Sequence, residues 1–179
     1  MRPCPRSTNA LPVADDKMHI SLIVFAGKYN EQKIVQPLSG DRATLLAARR
    51  TMPFYRGWTY MMPAVRNARS ALSGGRAGVP KVLLMLTDGE PNDAPGSEFR
   101  AAKGAGVKVM MVLIGTGIQS SSVSSWVSSP ASTNVIALRP GFSAPKFIFG
   151  IFSAHADGAC RRRTPRARSC WRVASERPR

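Results

Sequence analysis

Three nearly continuous apolar runs of strand length constrain the fold of this chain most: residues 18–26 (MHISLIVFA), 81–87 (KVLLMLT) and 107–114 (VKVMMVLI). A strand that is apolar on both faces has to be covered on both faces, as strands inside a parallel sheet are. Segments with the apolar spacing of helices lie between the runs, and this alternation covers residues 15–154. The pattern predicts an α/β fold, a three-layer, doubly wound and mostly parallel sheet.

Shorter segments complete this prediction. Pro37 has no N–H group to donate, so the short strand predicted over residues 34–38 belongs at an edge of the sheet. The other predicted elements are a helix between Asp41 and Pro53, a helix from Pro63 to the glycine-rich segment 73–78, a helix over 97–105, a short helix near Trp126, a strand over 134–138 and a closing amphipathic helix over 142–152.

Charge divides the chain into three parts. The net charge is +16, and residues 155–179 hold eight arginines against Asp157 and Glu176, a net of +6. We expect an irregular segment over 1–14, one domain over 15–154 and a basic, disordered tail over 155–179. The tail is either a solvated arm or a site for nucleic acid or an acidic partner, because arginine clusters pair with phosphates.

Several classes of protein are not supported. The sequence contains no run of about 18 apolar residues that could span a membrane, and its polar N-terminus predicts no signal peptide. The compartment stays open: extracellular if a leader lies upstream, otherwise intracellular.

The cysteines and histidines support neither a zinc site nor a catalytic triad. The three cysteines, Cys4, Cys160 and Cys170, are odd in number and wrongly spaced for a zinc site, although a disulfide bridge between Cys160 and Cys170 is an open alternative. The two histidines have no triad spacing, and no P-loop is present, so we expect no enzyme.

Two loops carry the candidate chemistry. In the segment LMLTDGEPND, an apolar strand places Asp88 at its carboxyl end, where Gly89 starts a tight turn. Such a carboxylate could serve a hard cation, or could simply form the turn. In the earlier segment Gly-Trp-Thr, Thr59 places a hydroxyl just before a helix, which it could also cap. Ligands of open α/β sheets bind at the carboxyl ends of the strands.

In this order, a Gly-x-Thr loop, a helix, an apolar strand and Thr-Asp-Gly resemble the von Willebrand factor A (vWA) domain, and the resemblance runs over residues 15–152. It implies a protein-binding module of the adhesion type with a metal-ion-dependent adhesion site. In that family a D-x-S-x-S motif, a loop threonine and the T-D-G aspartate surround Mg²⁺ or Mn²⁺. By match, Thr59 would be the loop ligand, and Asp88 would act through water.

The chain departs from the family at this site, because D-x-S-x-S is absent. The run 18–26 resembles the second strand of the family, and a strand–helix unit before it would need about 30 residues, whereas only 14 precede Asp15. We therefore expect the first β–α unit to be missing and the metal site to be incomplete.

The missing unit would leave the inner edges of the runs 18–26 and 81–87 without partners. Each orphaned buried backbone group costs about 1–3 kcal/mol. A truncated sequence, a strand from a partner or closure of the two edges on each other would resolve this, and truncation is the favoured explanation.

Two functional hypotheses follow. The first is a vWA binding module for a protein ligand, with weak or absent metal dependence. The second is an intracellular vWA scaffold that binds nucleic acid or an acidic partner through its basic tail. An enzyme of the same fold class has the least support.

Overall fold

A computed structural model describes residues 11–27, 32–55, 57–138 and 150–153. In these residues six strands form one sheet: β1 (His19–Phe25), β2 (Gln32–Ser39), β3 (Lys81–Gly89), β4 (Val107–Gly117), β5 (Val135–Leu138) and β6 (Gly150–Ser153). Five helices accompany them: α1 (Arg42–Arg50), α2 (Met61–Ser73), α3 (Gly96–Gly104), α4 (Ser120–Val123) and α5 (Ala131–Asn134). The strand order across the sheet is β2-β1-β6-β3-β4-β5.

The parallel pairs of the sheet join β3, β4 and β5, and two of these strands, β3 and β4, are apolar runs that the sequence predicts to lie in parallel. The third apolar run forms β1, which pairs antiparallel with both of its neighbours, β2 and β6. β3 and β4 pair in parallel from Lys81 opposite Val107 to Thr87 opposite Leu113, and β4 pairs with β5 in the same sense. Three layers result, because α2 and α3 cover one face of the sheet while α1 covers the β1–β2 part of the other. The predicted α/β architecture is confirmed.

The core lies mainly between the sheet and the α2–α3 layer. Alternate residues of β3 and β4 point into it and are essentially excluded from solvent, because successive strand side chains face opposite sides. The largest fully buried members of this cluster are Ile23, Met61, Val65, Leu72, Leu83, Met85, Phe99, Val109, Met111, Leu113 and Val123. On the other face, Leu45 of α1 packs with Ile20 and Leu22 of β1.

The edge position predicted for the strand with Pro37 is confirmed. β2 lies at the end of the strand order and pairs antiparallel with β1, from Phe25 opposite Gln32 to Ile20 opposite Ser39. Proline has no N–H to donate to a neighbouring strand, and an edge strand tolerates it because one of its sides has no neighbour. After β2, Asp41 caps α1 by accepting the Ala43 N–H at 2.8 Å.

The closing helix predicted over 142–152 is wrong at its end, because residues 150–153 form β6, while residues 142–149 lie outside the described residues. β6 lies between β1 and β3 and is antiparallel to both, with Phe152 opposite Ile20 on one side and Val82 on the other. This position is where the sequence predicts unpartnered edges. The C-terminal part of the chain supplies the pairing, a solution that none of the three expected explanations includes.

The physical reason lies in backbone hydrogen bonding. The inner edges of β1 and β3 carry N–H and C=O groups that need partners when they are buried. Four residues of β6 provide partners for His19–Leu22 and Lys81–Leu84 at once. The apolar spacing of 142–152 carries no information about this need for backbone partners.

Among the described helices, none is long and apolar enough to cross a membrane.

Candidate functional site

The carboxyl ends of β1 and β3 and the start of α2 meet at one edge of the sheet. β1 and β3 run in the same direction, since both are antiparallel to β6. The Tyr60 N–H donates to the Ala26 carbonyl at 3.0 Å, which places the start of α2 directly after the end of β1. Both loops that the sequence singles out therefore lie at this edge, which we call the carboxyl rim.

Reciprocal hydrogen bonds join the two loops of the carboxyl rim. The Thr59 N–H donates to the Asn92 side-chain oxygen at 2.7 Å, and the Asn92 N–H donates to the Thr59 carbonyl at 2.8 Å. Two bonds between the same pair of residues fix the position and the orientation of one loop relative to the other. Asn92 is a site residue that the sequence analysis does not identify.

Asp93 strengthens the same connection. Its two carboxylate oxygens accept the N–H groups of Met61 and Met62, at 3.1 and 2.7 Å. These are orphan donors of the first turn of α2, and the N-cap residue Tyr60 makes no side-chain cap hydrogen bond. A carboxylate at a helix N-terminus is also favoured by the helix dipole. The weak local cap is the one sequence signal that could have predicted a distant acceptor.

Thr59 and Asp88 lie on facing loops of the carboxyl rim. An ideal Cβ on Gly89, the residue after Asp88, would lie 3.6 Å from the Thr59 hydroxyl oxygen. Asp88 is exposed and Thr59 is half-buried. The alternative that Thr59 caps α2 is wrong, because Tyr60 occupies the N-cap position.

The turn after Asp88 is closely held. The buried Thr87 hydroxyl donates to the Gly89 carbonyl at 3.0 Å. An added Cβ on Gly117, at the end of β4, would lie 2.1 Å from the Asp88 carbonyl oxygen. Only glycine permits this approach, so Gly117 allows the ends of β3 and β4 to pack closely at the rim.

The donor set at the rim does not form a complete cation shell. Thr59 and Asp88 would supply two oxygens, whereas Mg²⁺ prefers about six oxygen ligands in octahedral geometry. No group of three or more His, Cys, Asp or Glu side chains that could hold a metal ion occurs among the described residues. The described residues therefore do not fit a self-sufficient metal site.

His19 stands apart from the rim. It lies in β1, and its Nε2 is 3.0 Å from the Asp15 carbonyl oxygen. Cys4, Cys160, Cys170 and the basic tail over 155–179 lie outside the described residues.

The family model of the von Willebrand factor type A domain matches residues 6–147. The chain therefore belongs to the vWA family, whose members are generally protein-interaction modules. It is similar to the human von Willebrand factor A domain-containing protein 1, at 35% identity over 112 residues. That match covers 60% of this chain and 25% of the human protein, so the chain spans about a quarter of the length of this relative.

Solved structures of vWA proteins are similar in fold. Proximal thread matrix protein 1 (PTMP1) from the mussel byssus matches with a TM-score of 0.56 and 20% identity, over 66% of this chain and 31% of PTMP1. One PTMP1 structure has a zinc-occupied MIDAS motif, the metal-ion-dependent adhesion site. The SpRpn10 VWA domain matches with a TM-score of 0.52 and 15% identity, over 67% of this chain and 64% of that one. At these identities the likeness concerns the fold alone.

Proposed function

We propose that the chain is an adhesion-type protein-interaction module that contacts its ligand with the carboxyl rim. The observation that carries the proposal is the connection between the rim loops, made by the Thr59–Asn92 hydrogen bonds and the Asp93 cap on α2. A surface held in place before binding loses less conformational freedom on binding. The exposed Asp88 and Glu90 carboxylates give this surface polar groups for recognition.

Metal dependence of this binding is weak or absent in our proposal. Thr59 and Asp88 supply only two of the roughly six oxygen ligands that Mg²⁺ prefers, too few to hold Mg²⁺ or Mn²⁺. We expect no saturable heat when either ion is titrated into the full chain in a calorimeter, with or without a short peptide that ends in aspartate. A saturable one-to-one heat that disappears in Asp88→Ala would contradict metal independence.

The rim itself is tested by a peptide selected against the full chain from a random display library. We expect Asp88→Ala and Thr59→Ala each to weaken binding of the selected peptide by about tenfold, or about 1.4 kcal/mol. Asp16→Ala is the matched control, because Asp16 is also exposed and precedes β1 at the opposite edge of the sheet. Equal affinities for all four proteins would exclude the rim as the contact surface.

A second candidate function uses the basic tail, whose net charge of +6 over residues 155–179 suits nucleic acid or an acidic partner. Binding of a DNA or RNA oligonucleotide should then weaken steeply with salt, because released counterions drive the association. We expect replacement of Arg161, Arg162 and Arg163 by serine to reduce the slope of this salt dependence. Binding that is indifferent to salt would rule the second candidate out.

A further inference from the structure

Acidic residues are absent from a long internal stretch of the chain. Residues 42–87 contain no Asp or Glu, but they contain eight Lys and Arg residues. This stretch includes α1, the loop that leads to the rim, and α2. The ion pairs found among the described residues join Arg66 and Arg69 of α2 to Glu98 of α3, at 2.8 and 3.1 Å. Among the described residues, the arginines of α1 have no carboxylate partner.

The outer face of α1 combines these arginines with an exposed apolar side chain. Leu45 is buried and Ala48 packs beside it, so this side of α1 faces the sheet. Arg42, Leu46 and Arg49 are spaced at i, i+4 and i+7 and lie together on the solvent side, next to Arg50. Leu46 is 43% exposed although it is a large apolar residue.

Two exposed aromatic residues lie between α1 and the carboxyl rim in the chain. Phe54 and Trp58 follow α1 in the chain, and each is 69% exposed. Trp58 directly precedes Thr59, which is hydrogen-bonded to Asn92 at the rim. We define the α1 surface as these six exposed residues: Arg42, Leu46, Arg49, Arg50, Phe54 and Trp58.

We propose that the α1 surface docks an acidic protein segment that also carries apolar side chains. This inference rests on the proposed function and names the chemistry of the partner. Arginine pairs with carboxylates through a two-pronged, charge-assisted hydrogen bond. Tryptophan and arginine are among the residue types that most often dominate protein–protein affinity. No carboxylate of the described residues forms an ion pair with the arginines of α1, which leaves them available for the carboxylates of a partner.

The same observations favour a protein partner over a lipid surface or a nucleic acid. A helix that lies on a membrane buries a long apolar face in lipid, whereas α1 has nine residues and turns its apolar face toward the sheet. A phosphate backbone that continued along the surface would meet the exposed Asp88 and Glu90 carboxylates of the rim. A short acidic segment can end before it reaches them.

The test uses fluorescence anisotropy with the full chain and a fluorescein-labelled peptide of repeated Glu-Glu-Leu-Phe units. We expect saturable binding that weakens with salt. The double variant Arg49→Glu with Arg50→Glu should weaken it at least tenfold, and so should Trp58→Ser, which changes only an exposed side chain. The matched charge control is Arg100→Glu with Lys108→Glu, since both residues are exposed and lie on α3 and β4. The control should bind like the unchanged chain.

Three outcomes would overturn the inference. The first is that the control variant loses as much affinity for the acidic peptide as the α1-surface variants do. The second is that the chain binds the basic peptide Lys-Lys-Leu-Phe as strongly as the acidic one. The third is that the chain binds phosphatidylserine vesicles or a single-stranded oligonucleotide more tightly than the acidic peptide, through the same residues. If the acidic peptide fails while a library-selected peptide still depends on Asp88, the inference fails and the proposed function stands. If no peptide binds in either experiment, both fail.

Discussion

Asp93 accepts hydrogen bonds from two N–H groups at the start of α2, where no local side chain does so. We expect Asp93→Ala to lower the free energy of unfolding by about 1–3 kcal/mol, because both donors lose their partner in a half-buried position. Urea unfolding followed by circular dichroism measures the change. The exposed Asp16→Ala should stay within about 0.5 kcal/mol of the unchanged chain. A similar loss in both variants would contradict the capping role of Asp93.

Gly117 is required at the rim by the approach of β3 to β4. In Gly117→Ala the new Cβ would meet the Asp88 carbonyl oxygen at 2.1 Å, so the strand ends must separate. We expect a loss of about 1–3 kcal/mol in the free energy of unfolding. Gly104→Ala is the matched control, because no atom lies within 4 Å of its Cβ position and it ends a helix. In thermal unfolding, the Tm of Gly117→Ala should lie well below the Tm of Gly104→Ala.

The N-cap of α1 should depend on pH. Hydrogen bonds from the Thr44 hydroxyl and the Ala43 N–H hold the pKa of Asp41 below its ordinary value of 3.8. The folded pKa is the lower one, so the ionised cap stabilises the fold above the unfolded pKa, and this contribution is lost as pH falls through the folded pKa. The Tm of Asp41→Ala should therefore lie below that of the unchanged chain at neutral pH and approach it as the pH falls below the folded pKa. A gap that stays constant throughout this fall in pH would contradict the ionic cap.

At the scale of elements, the strands divide into those that local pattern determines and one that it does not. β1, β3 and β4 are predictable because each is apolar on both faces. β2 is predictable as an edge strand because of Pro37. β6 is not, because its place depends on the unpaired inner edges of two distant strands, and a four-residue segment carries too little pattern to compete with helical spacing.

The position of β6 predicts a sharp difference between two substitutions at Ile151, which lies opposite Ser21 of β1 and Leu83 of β3. Ile151→Pro removes an N–H group from a strand with neighbours on both sides, whereas Ile151→Ala keeps it. We expect hydrogen exchange of the amides of His19–Leu22 and Lys81–Leu84 to accelerate much more in the proline variant. Equal exchange rates in the two variants would contradict the pairing of β6 with these strands.

At the scale of the whole molecule, only half of the rim could be predicted from sequence. Asp88 follows from strand direction, since loops after parallel strands lie at the same edge, and Thr59 follows from the resemblance of its Gly-x-Thr loop to the vWA family. Asn92 and Asp93 hold the loops in place through partners more than 30 residues away, and no local pattern specifies such partners. The chemistry of a rim can thus be expected from a motif, while its rigidity depends on tertiary contacts.

The net charge of +16 acts on the molecule as a whole. Like charges repel one another most strongly when the chain is compact, so a large net charge destabilises the folded state. Salt shortens the range of this repulsion, from about 30 Å at 0.01 M to about 8 Å at 0.15 M. We expect the Tm to rise over this range of sodium chloride, and to rise less after Arg161, Arg162 and Arg163 are replaced by serine. Sodium sulfate at the same ionic strength separates screening from anion binding, because screening alone gives the same Tm in both salts. A Tm that falls as sodium chloride is added would show that favourable pairs such as Arg66–Glu98 outweigh the net repulsion.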